Sequence, residues 1–98
     1  MSFIGVNMAL EVQCVTKESD PDYSDCRSIE SIGLPGRDVA VVTKTPPEVH
    51  KLLNDRDIYV EHDGERTPLM QAERQGYKYV KTQSNDTKDD NLLKQDSC

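Results

Sequence analysis

Three cysteines and two histidines are the side chains best suited to bind a metal ion or to act as nucleophiles. In chain order they are Cys14, Cys26, His50, His62 and Cys98, and neighbouring members are 12, 24, 12 and 36 positions apart. Structural zinc sites usually take two ligands from one tight turn, and no pair here has that short spacing. The odd number of cysteines also gives no pattern of paired cysteines. We therefore expect no disulfide framework, no bound metal and no cofactor.

Two other arrangements resemble functional sites but are incomplete. Asp20, Asp22 and Ser24 begin like a calcium-binding EF-hand loop. Such a loop also needs glycine at its sixth position and glutamate at its twelfth, where this chain has Asp25 and Ser31. Catalysis by a cysteine would need a histidine and a carboxylate held beside it, and no spacing in the sequence brings such groups together. An enzyme or a metal protein is therefore the least favoured function.

Aromatic and basic side chains near the C-terminus form a more informative pattern. If Ile58, Val60 and Val80 face a helix, the alternate residues on the same strands face away from it. The alternate residues are Tyr59, Tyr77, Tyr79 and Lys81, and Arg66 lies on the predicted strand between them. We call these five residues the predicted tyrosine face. A sheet face of this composition can stack the bases of single-stranded nucleic acid. Tyrosines also favour strands for packing reasons, and could instead lie under Leu92 and Leu93 or at a protein interface.

The elements that would position these residues follow from local patterns. Residues 8–17 alternate between apolar and polar types, which predicts a half-buried strand with Met8, Leu10, Val12 and Cys14 on one side. Residues 18–25 are polar and predict a loop. Ile29 and Ile32 are three positions apart, which predicts one helical turn.

The middle of the chain carries the clearest helix signal. Thr45-Pro46-Pro47-Glu48 is a capping box with proline at the start of the helix. We expect the helix to continue to about residue 54 and to bury Val49, Leu52 and Leu53. A short strand at residues 39–43 should precede it.

The C-terminal half predicts three antiparallel strands, at residues 58–62, 65–73 and 77–82. Asp63-Gly64 and Gln75-Gly76 are the turns between them. Pro68 should weaken the middle strand or place it at an edge. Asp90 should cap a short final segment that returns Leu92 and Leu93 to the core. The fold class is thus α+β, with a small, mostly antiparallel sheet of four to five strands and one main helix in the order β(β)αβββ. We expect residues 1–7 to be a flexible leader, 8–93 a single domain, and 94–98 a polar C-terminal tail.

Charge and hydropathy limit the classes of partner that the chain could bind. Acidic residues outnumber basic ones 18 to 12, which gives a net charge of −6 and argues against tight binding to duplex DNA. No apolar run approaches the roughly 18 residues of a membrane span, and the N-terminus does not resemble a signal peptide. We therefore expect a cytoplasmic protein that does not bind membranes.

Several motifs resemble one known family. Gly76-Tyr77-Lys78-Tyr79-Val80-Lys81-Thr82 and Asp90-Asn91-Leu92-Leu93 resemble the signature of the prokaryotic family called domain of unknown function 3892. The segments Val12–Lys17 and Ile29–Gly33 resemble its opening elements, and the C-terminal Lys94–Cys98 departs from it by lacking a proline. The resemblance implies a stand-alone prokaryotic domain and brings no assigned activity.

These observations favour a non-catalytic protein-interaction module. It would present the predicted tyrosine face or an exposed edge strand to an unknown protein partner or to a second copy of itself. The alternative is weak binding of single-stranded nucleic acid through the predicted tyrosine face.

Overall fold

The structure is a computed structural model that describes residues 9–98. This part of the chain has one α-helix, eight strands and two 3₁₀ turns. The α+β class is confirmed, although the strands form three small sheets instead of one sheet of four to five strands. The predicted leader and Met8 lie outside the described residues. The elements are β1 Leu10–Glu11, β2 Cys14–Lys17, β3 Ile29–Pro35, β4 Val41–Lys44, α1 Pro46–Leu52, β5 Ile58–His62, β6 Glu65–Pro68, β7 Met70–Arg74 and β8 Tyr77–Lys81, with 3₁₀ turns at Cys26–Ser28 and Asn91–Lys94.

Most strand pairs in the three sheets are antiparallel. The first sheet has the order β1-β5-β6, in which β1 runs parallel to β5 and β6 runs antiparallel to it. The second has the order β2-β3-β4, and the third is the hairpin β7-β8. Helix α1 contacts both β8 and β3, and so it joins the second and third sheets into one core.

The helix begins where the sequence predicts. The Thr45 hydroxyl oxygen accepts a hydrogen bond from the Glu48 N–H, and the Glu48 carboxylate accepts one from the Thr45 N–H at 2.8 Å. This reciprocal pair satisfies backbone donors that the first turn leaves free. The helix ends at Leu52, slightly earlier than predicted. Val49 is fully buried, while Leu52 and Leu53 pack at the edge of the core.

Side chains from all three sheets and from the C-terminal segment build the core. The predicted inward orientation of Ile58, Val60 and Val80 is confirmed. The predicted return of Leu92 and Leu93 is confirmed as well, and the Asp90 carboxylate caps their 3₁₀ turn by accepting a hydrogen bond from the Leu92 N–H. The buried apolar residues are Val12, Val15, Cys26, Ile29, Ile32, Leu34, Val49, Ile58, Val60, Leu69, Tyr79, Val80, Leu92 and Leu93.

The single strand predicted for residues 8–17 is wrong, because the described part divides into β1 and β2. The Val12 N–H donates to the Tyr59 carbonyl of β5, whereas the next N–H, that of Gln13, donates to the Gly33 carbonyl of β3. The chain therefore leaves one sheet and joins another between these two residues. Val12 and Val15 are both buried despite their odd spacing, since the backbone changes direction between them.

The helical turn predicted around Ile29 and Ile32 is also wrong. Both residues belong to β3, and both are buried. The register of β3 against β2 shifts at Glu30, because Thr16 pairs with Ser31 while Lys17 pairs with Ile29. An extra residue of this kind bulges the strand and turns side chains three positions apart toward the same side.

The two predicted turns in the C-terminal half are confirmed. Positive φ angles at Asp63 (53°) and Gly64 (82°), and again at Gln75 (54°) and Gly76 (82°), are typical of type I′ hairpin turns. The single strand predicted for residues 65–73 is two strands, β6 and β7, which pair with β5 and β8 respectively. The buried Leu69 lies between them, directly after Pro68, which cannot continue the ladder as a donor.

The expectation of no disulfide is wrong, because Cys14 and Cys98 form one across a separation of 84 positions. The C-terminal segment returns along β2. Val15 forms a parallel bridge with Ser97 and accepts a hydrogen bond of 3.1 Å from the Cys98 N–H. This pairing brings Cys98 beside Cys14 of β2. The disulfide could not be predicted from the spacing of the cysteines, because the two residues are far apart in the sequence.

Gly33 leaves the space that the disulfide occupies. A Cβ atom at this position would lie 2.5 Å from the Cys14 Sγ and 2.9 Å from the Val41 Cγ1. Both distances are well inside van der Waals contact. The glycine in the middle of β3 is therefore explained by the close approach of the sulfur atoms.

Candidate functional site

A buried carboxylate organises the polar groups around β8. Asp86 follows this strand, and its side chain is 9% exposed. Its carboxylate accepts hydrogen bonds from the Tyr79 hydroxyl at 2.7 Å, the Lys81 ammonium at 3.1 Å and the Arg74 guanidinium at 2.6 Å. Burial opposes ionisation, but the hydrogen bonds from these three donors outweigh it and lower the pKa of Asp86 to about 2. Burial and the hydrogen bond to Asp86 raise the pKa of Tyr79.

The structure covers the residue at the centre of the predicted tyrosine face. Tyr79 lies on the side of β8 opposite Val80, as predicted, but its exposed fraction is 0%. The 3₁₀ turn Cys26–Ser28 contacts β8, and α1 contacts the same strand. The expectation that Tyr79 is available to a ligand is therefore wrong. The alternation predicted from the strand is correct, but a loop covers the side that the sequence pattern leaves open.

The remaining members of the predicted tyrosine face do not form one surface. Tyr59 and Arg66 belong to the first sheet, where the guanidinium lies 4.9 Å from the centre of the tyrosine ring. Tyr77 lies on the third sheet, and its ring stacks on Tyr79 with centroids 5.8 Å apart. Lys81 is nearly buried and bound to Asp86. The five residues are thus divided between two sheets, and only part of the set reaches solvent.

A second buried carboxylate holds the loop that covers Tyr79. Asp25 caps the 3₁₀ turn by accepting a hydrogen bond from the Arg27 N–H, and it also accepts two from the guanidinium, at 2.9 Å and 2.6 Å. These bonds from Arg27 lower the pKa of Asp25. The same guanidinium lies 3.8 Å from the centre of the Tyr23 ring. The loop is therefore ordered by an ion pair and a cation–π contact that share one arginine.

The two networks border a cleft of about 280 Å³. Its walls come from the loop after β2, the 3₁₀ turn and the β7–β8 turn. Both tyrosine rings that line it are partly exposed, Tyr23 at 42% and Tyr77 at 38%. We call it the Tyr23–Tyr77 cleft, and its lining residues are Glu18, Asp22, Tyr23, Arg27, Arg74, Gln75 and Tyr77.

The charges in the Tyr23–Tyr77 cleft are not equivalent. Arg27 and Arg74 are each bound to a buried carboxylate outside the lining. Glu18 and Asp22 form no ion pair with any residue of the described range 9–98. The pKa of Tyr77 is raised by burial and by the negative charge of Glu18. Since Lys81 shares Asp86 with Arg74, three cations face the four carboxylates of Asp25, Asp86, Glu18 and Asp22, and the cleft has an excess of one negative charge.

A second exposed surface, an unpaired strand edge, lies on the β2-β3-β4 sheet. Strand β4 is the outer strand of the β2-β3-β4 sheet, and it pairs with β3 on one side only. Val41, the first residue of β4, is 38% exposed, and Val39, two positions before it, is 58% exposed. The other strand edges carry more protection. β1 has two residues, β6 ends in Pro68, and Ser97 bridges the outer side of β2.

Of the groups first considered for catalysis or metal binding, Cys26, His50 and His62 neither line the Tyr23–Tyr77 cleft nor belong to β4. The Cys26 thiol is buried, and its burial, together with the nearby Asp90 carboxylate, raises its pKa, so it stays protonated. His62 lies 3.3 Å from the carboxylate of Asp63 at a hairpin turn, and His50 lies on α1. Between residues 9 and 98 no three histidine, cysteine or acidic side chains are grouped as metal ligands would be.

Sequence reasoning placed Tyr77 in a candidate interface, but it did not bring the other cleft residues together with it, and it considered Asp22 only as part of an incomplete calcium loop. The alternation of Tyr79 and Lys81 could have predicted the Asp86 network. If that face of the strand is covered, the hydroxyl and the ammonium group both need a hydrogen-bond acceptor. Asp86, five positions after Lys81 in the loop that follows β8, is that acceptor. No comparable signal identifies Tyr23 and Arg27, since residues 18–25 have only the composition of a loop.

Comparison with known proteins gives no relative from which a role could be transferred. Neither a family model, nor a curated protein, nor a solved structure matches the chain. Within residues 9–98, no helix is both long and apolar enough to cross a membrane.

Proposed function

We propose that the chain is a non-catalytic protein-interaction module that binds by adding a strand to the outer edge of β4. The proposed occupant is β4 of a second copy, paired antiparallel across a two-fold axis. The observation that carries the proposal is the exposed edge of β4, together with the exposed valines Val41 in the strand and Val39 just before it.

An uncovered strand edge presents unpaired backbone N–H and C=O groups that can pair with another strand. Proteins usually protect such edges by shortening them, by proline, by charge or by a covering segment. β4 has four residues and no proline, and its only charged side chain is Lys44 at its end. In the third sheet, by contrast, the outer strands carry charges along their length, such as Glu73 and Lys78.

The strand is also compatible with a copy of itself. In an antiparallel pair, the C-terminal end of each β4 approaches the N-terminal end of the other. Lys44 of each chain would therefore lie near the other chain's turn that precedes β4, which carries Asp38. The two-fold axis also repeats the apolar surface of Val39 and Val41 on both chains. Because the strand is short, we expect weak and reversible association.

The test is sedimentation equilibrium over a wide range of protein concentration. The wild-type mass should rise toward that of two chains, and Val41→Lys should remain a monomer because it places like charges across the axis. Met70→Lys is the matched control, since Met70 has the same 38% exposure but lies on β7. Association equal in Val41→Lys and wild type, or a wild-type monomer at millimolar concentration, would refute the proposal. Non-reducing electrophoresis distinguishes this pairing from disulfide-linked chains.

Single-stranded nucleic-acid binding stays the alternative prediction and has less support. It would use Tyr59, Arg66, Tyr77, Tyr79 and Lys81 together, whereas Tyr79 is buried and the Lys81 charge is bound to Asp86. A fluorescent oligonucleotide titration at low salt tests it directly. The net charge of −6 on the whole chain also opposes phosphate binding.

Two further predictions are unchanged by the comparisons. The resemblance to the domain of unknown function 3892 family stays a prediction, and it suggests a prokaryotic origin without an activity. A cytoplasmic location is likewise proposed from the sequence alone. The Cys14–Cys98 disulfide weighs against that location, because disulfides persist mainly in oxidising compartments.

A further inference from the structure

We infer that the Tyr23–Tyr77 cleft binds a small organic cation, namely an alkylguanidinium or alkylammonium group. None of its lining residues belongs to β4, so this site is independent of the proposed strand addition. The inference goes beyond the proposed function, because it assigns a ligand chemistry to a surface that self-association does not use.

The charge of the cleft selects a cation. Arg27 makes two hydrogen bonds to Asp25, and Arg74 makes one at 2.6 Å to Asp86. Asp25 balances the charge of Arg27, whereas Asp86 is shared by Arg74 and Lys81, so these five groups together keep one positive charge. Glu18 and Asp22 have no ion-pair partner in the described range, and their two negative charges outweigh that single positive charge, so a ligand meets a net negative charge.

The aromatic rings favour the same ligand. Cations are attracted to the faces of tyrosine rings, and Arg27 already shows this geometry against Tyr23 at 3.8 Å. The Tyr77 ring has one face stacked nearly parallel on Tyr79, at an interplanar angle of 9°. Tyr77 remains 38% exposed, which leaves part of its ring to a ligand in the cleft.

The size of the cleft limits the ligand. Sites for drug-sized molecules commonly have volumes of roughly 300 to 1,000 Å³. At about 280 Å³ the Tyr23–Tyr77 cleft suits a single charged group with a short aliphatic stem. The two carboxylates and two aromatic rings in the lining fit an arginine-like or lysine-like group, whether it belongs to a free small molecule or to a side chain of a peptide.

The experiment is an NMR titration of the intact protein that follows the backbone amides of residues 18–27 and 74–77. N-acetyl-arginine amide is the probe, and N-acetyl-citrulline amide is its uncharged control of nearly the same shape. The arginine compound should give saturable shifts that weaken with salt, and the citrulline compound should not. An alanine–arginine–alanine peptide distinguishes the sources. Equal affinity indicates recognition of the cation alone, and tighter binding indicates a peptide-borne side chain.

Variants test the named residues. Asp22→Asn and Glu18→Gln should each raise the dissociation constant about threefold, as expected for an exposed charge. Tyr77→Leu should raise it by about the same factor through loss of the ring face. Asp20→Asn is the matched control, because it removes a negative charge from the same loop outside the cleft lining and should leave the constant unchanged.

Three results would overturn the inference. The first is equal binding of the citrulline and arginine compounds, and the second is no saturable shift with either cation. The third is binding of N-acetyl-glutamate amide in place of the cations, which would mean that the arginines dominate the cleft. All three of these results are measured on the wild-type protein. A variant that fails to fold therefore leaves the test intact.

Discussion

Strands β8 and β4 both lie at the edge of a small antiparallel sheet, yet their surroundings are opposite. Val80 faces the helix and Tyr79 lies under the 3₁₀ turn, so β8 is covered on both faces. β4 keeps Val41 exposed and pairs on one side only. The comparison shows that edge position does not decide exposure here. What decides it is whether a loop can satisfy the polar groups of the side chains that it covers.

The cost of covering Tyr79 explains the polar network around it. A buried hydroxyl without a partner is unfavourable, and so is a buried carboxylate. Asp86 accepts the Tyr79 hydroxyl, and it is itself balanced by Lys81 and Arg74. No group of this kind lies over β4 in the described part of the chain. We therefore expect substitutions on the two strands to differ strongly in their effect on stability.

The largest difference should come from the two strands themselves. Tyr79→Ala removes a fully buried ring and should lower the free energy of unfolding by about 3–5 kcal/mol. Val41→Ala removes an exposed side chain and should change it by no more than about 0.5 kcal/mol. Urea denaturation followed by circular dichroism measures both. Similar losses of unfolding free energy in the two variants would contradict the difference drawn between β8 and β4.

The disulfide should be the main stabiliser on the β4 side. Cys98→Ser opens the link to Cys14 and should lower the free energy of unfolding by about 2–4 kcal/mol under non-reducing conditions. Hydrogen exchange should rise most in the β2-β3-β4 sheet and least in β7-β8. Reductant should bring the wild type to the level of the variant and leave the variant itself unchanged. A wild type insensitive to reductant would contradict this assignment.

The polar network should give the smallest effect and a pH signature. Asp86→Asn should lower the free energy of unfolding at pH 7 by about 2 kcal/mol, because charged hydrogen bonds to three donors are lost. The folded pKa of about 2 lies below the usual aspartate value of about 3.9. The carboxylate therefore stabilises the fold fully above pH 4 and loses this effect as the pH falls toward 2.

The measurement is the difference in unfolding free energy between wild type and Asp86→Asn from pH 7 to pH 2. It should be constant down to about pH 4 and then shrink. Asp25 also has a lowered pKa, but it is present in both proteins and cancels in the difference. A difference that stays constant to pH 2 would refute the role of Asp86.

Local patterns determined several elements from the sequence alone. The Thr45–Glu48 capping box, the turns at Asp63-Gly64 and Gln75-Gly76, and the cap at Asp90 all depend on contacts within a few residues. Such contacts form in nearly the same way in any fold that includes the segment. The α+β class followed from them, and so did the inward positions of Ile58, Val60 and Val80.

Only the tertiary structure decided what each strand face meets. The change of sheet between Val12 and Gln13, the bulge at Glu30, and the Cys14–Cys98 link depend on partners far along the chain. The candidate site shows the same limit, because Tyr77 alone of the predicted tyrosine face lines the cleft. Alternation of residue types along a strand indicates that its two faces have different environments. It carries no information on which distant loop covers one of them, since that depends on how the elements pack together.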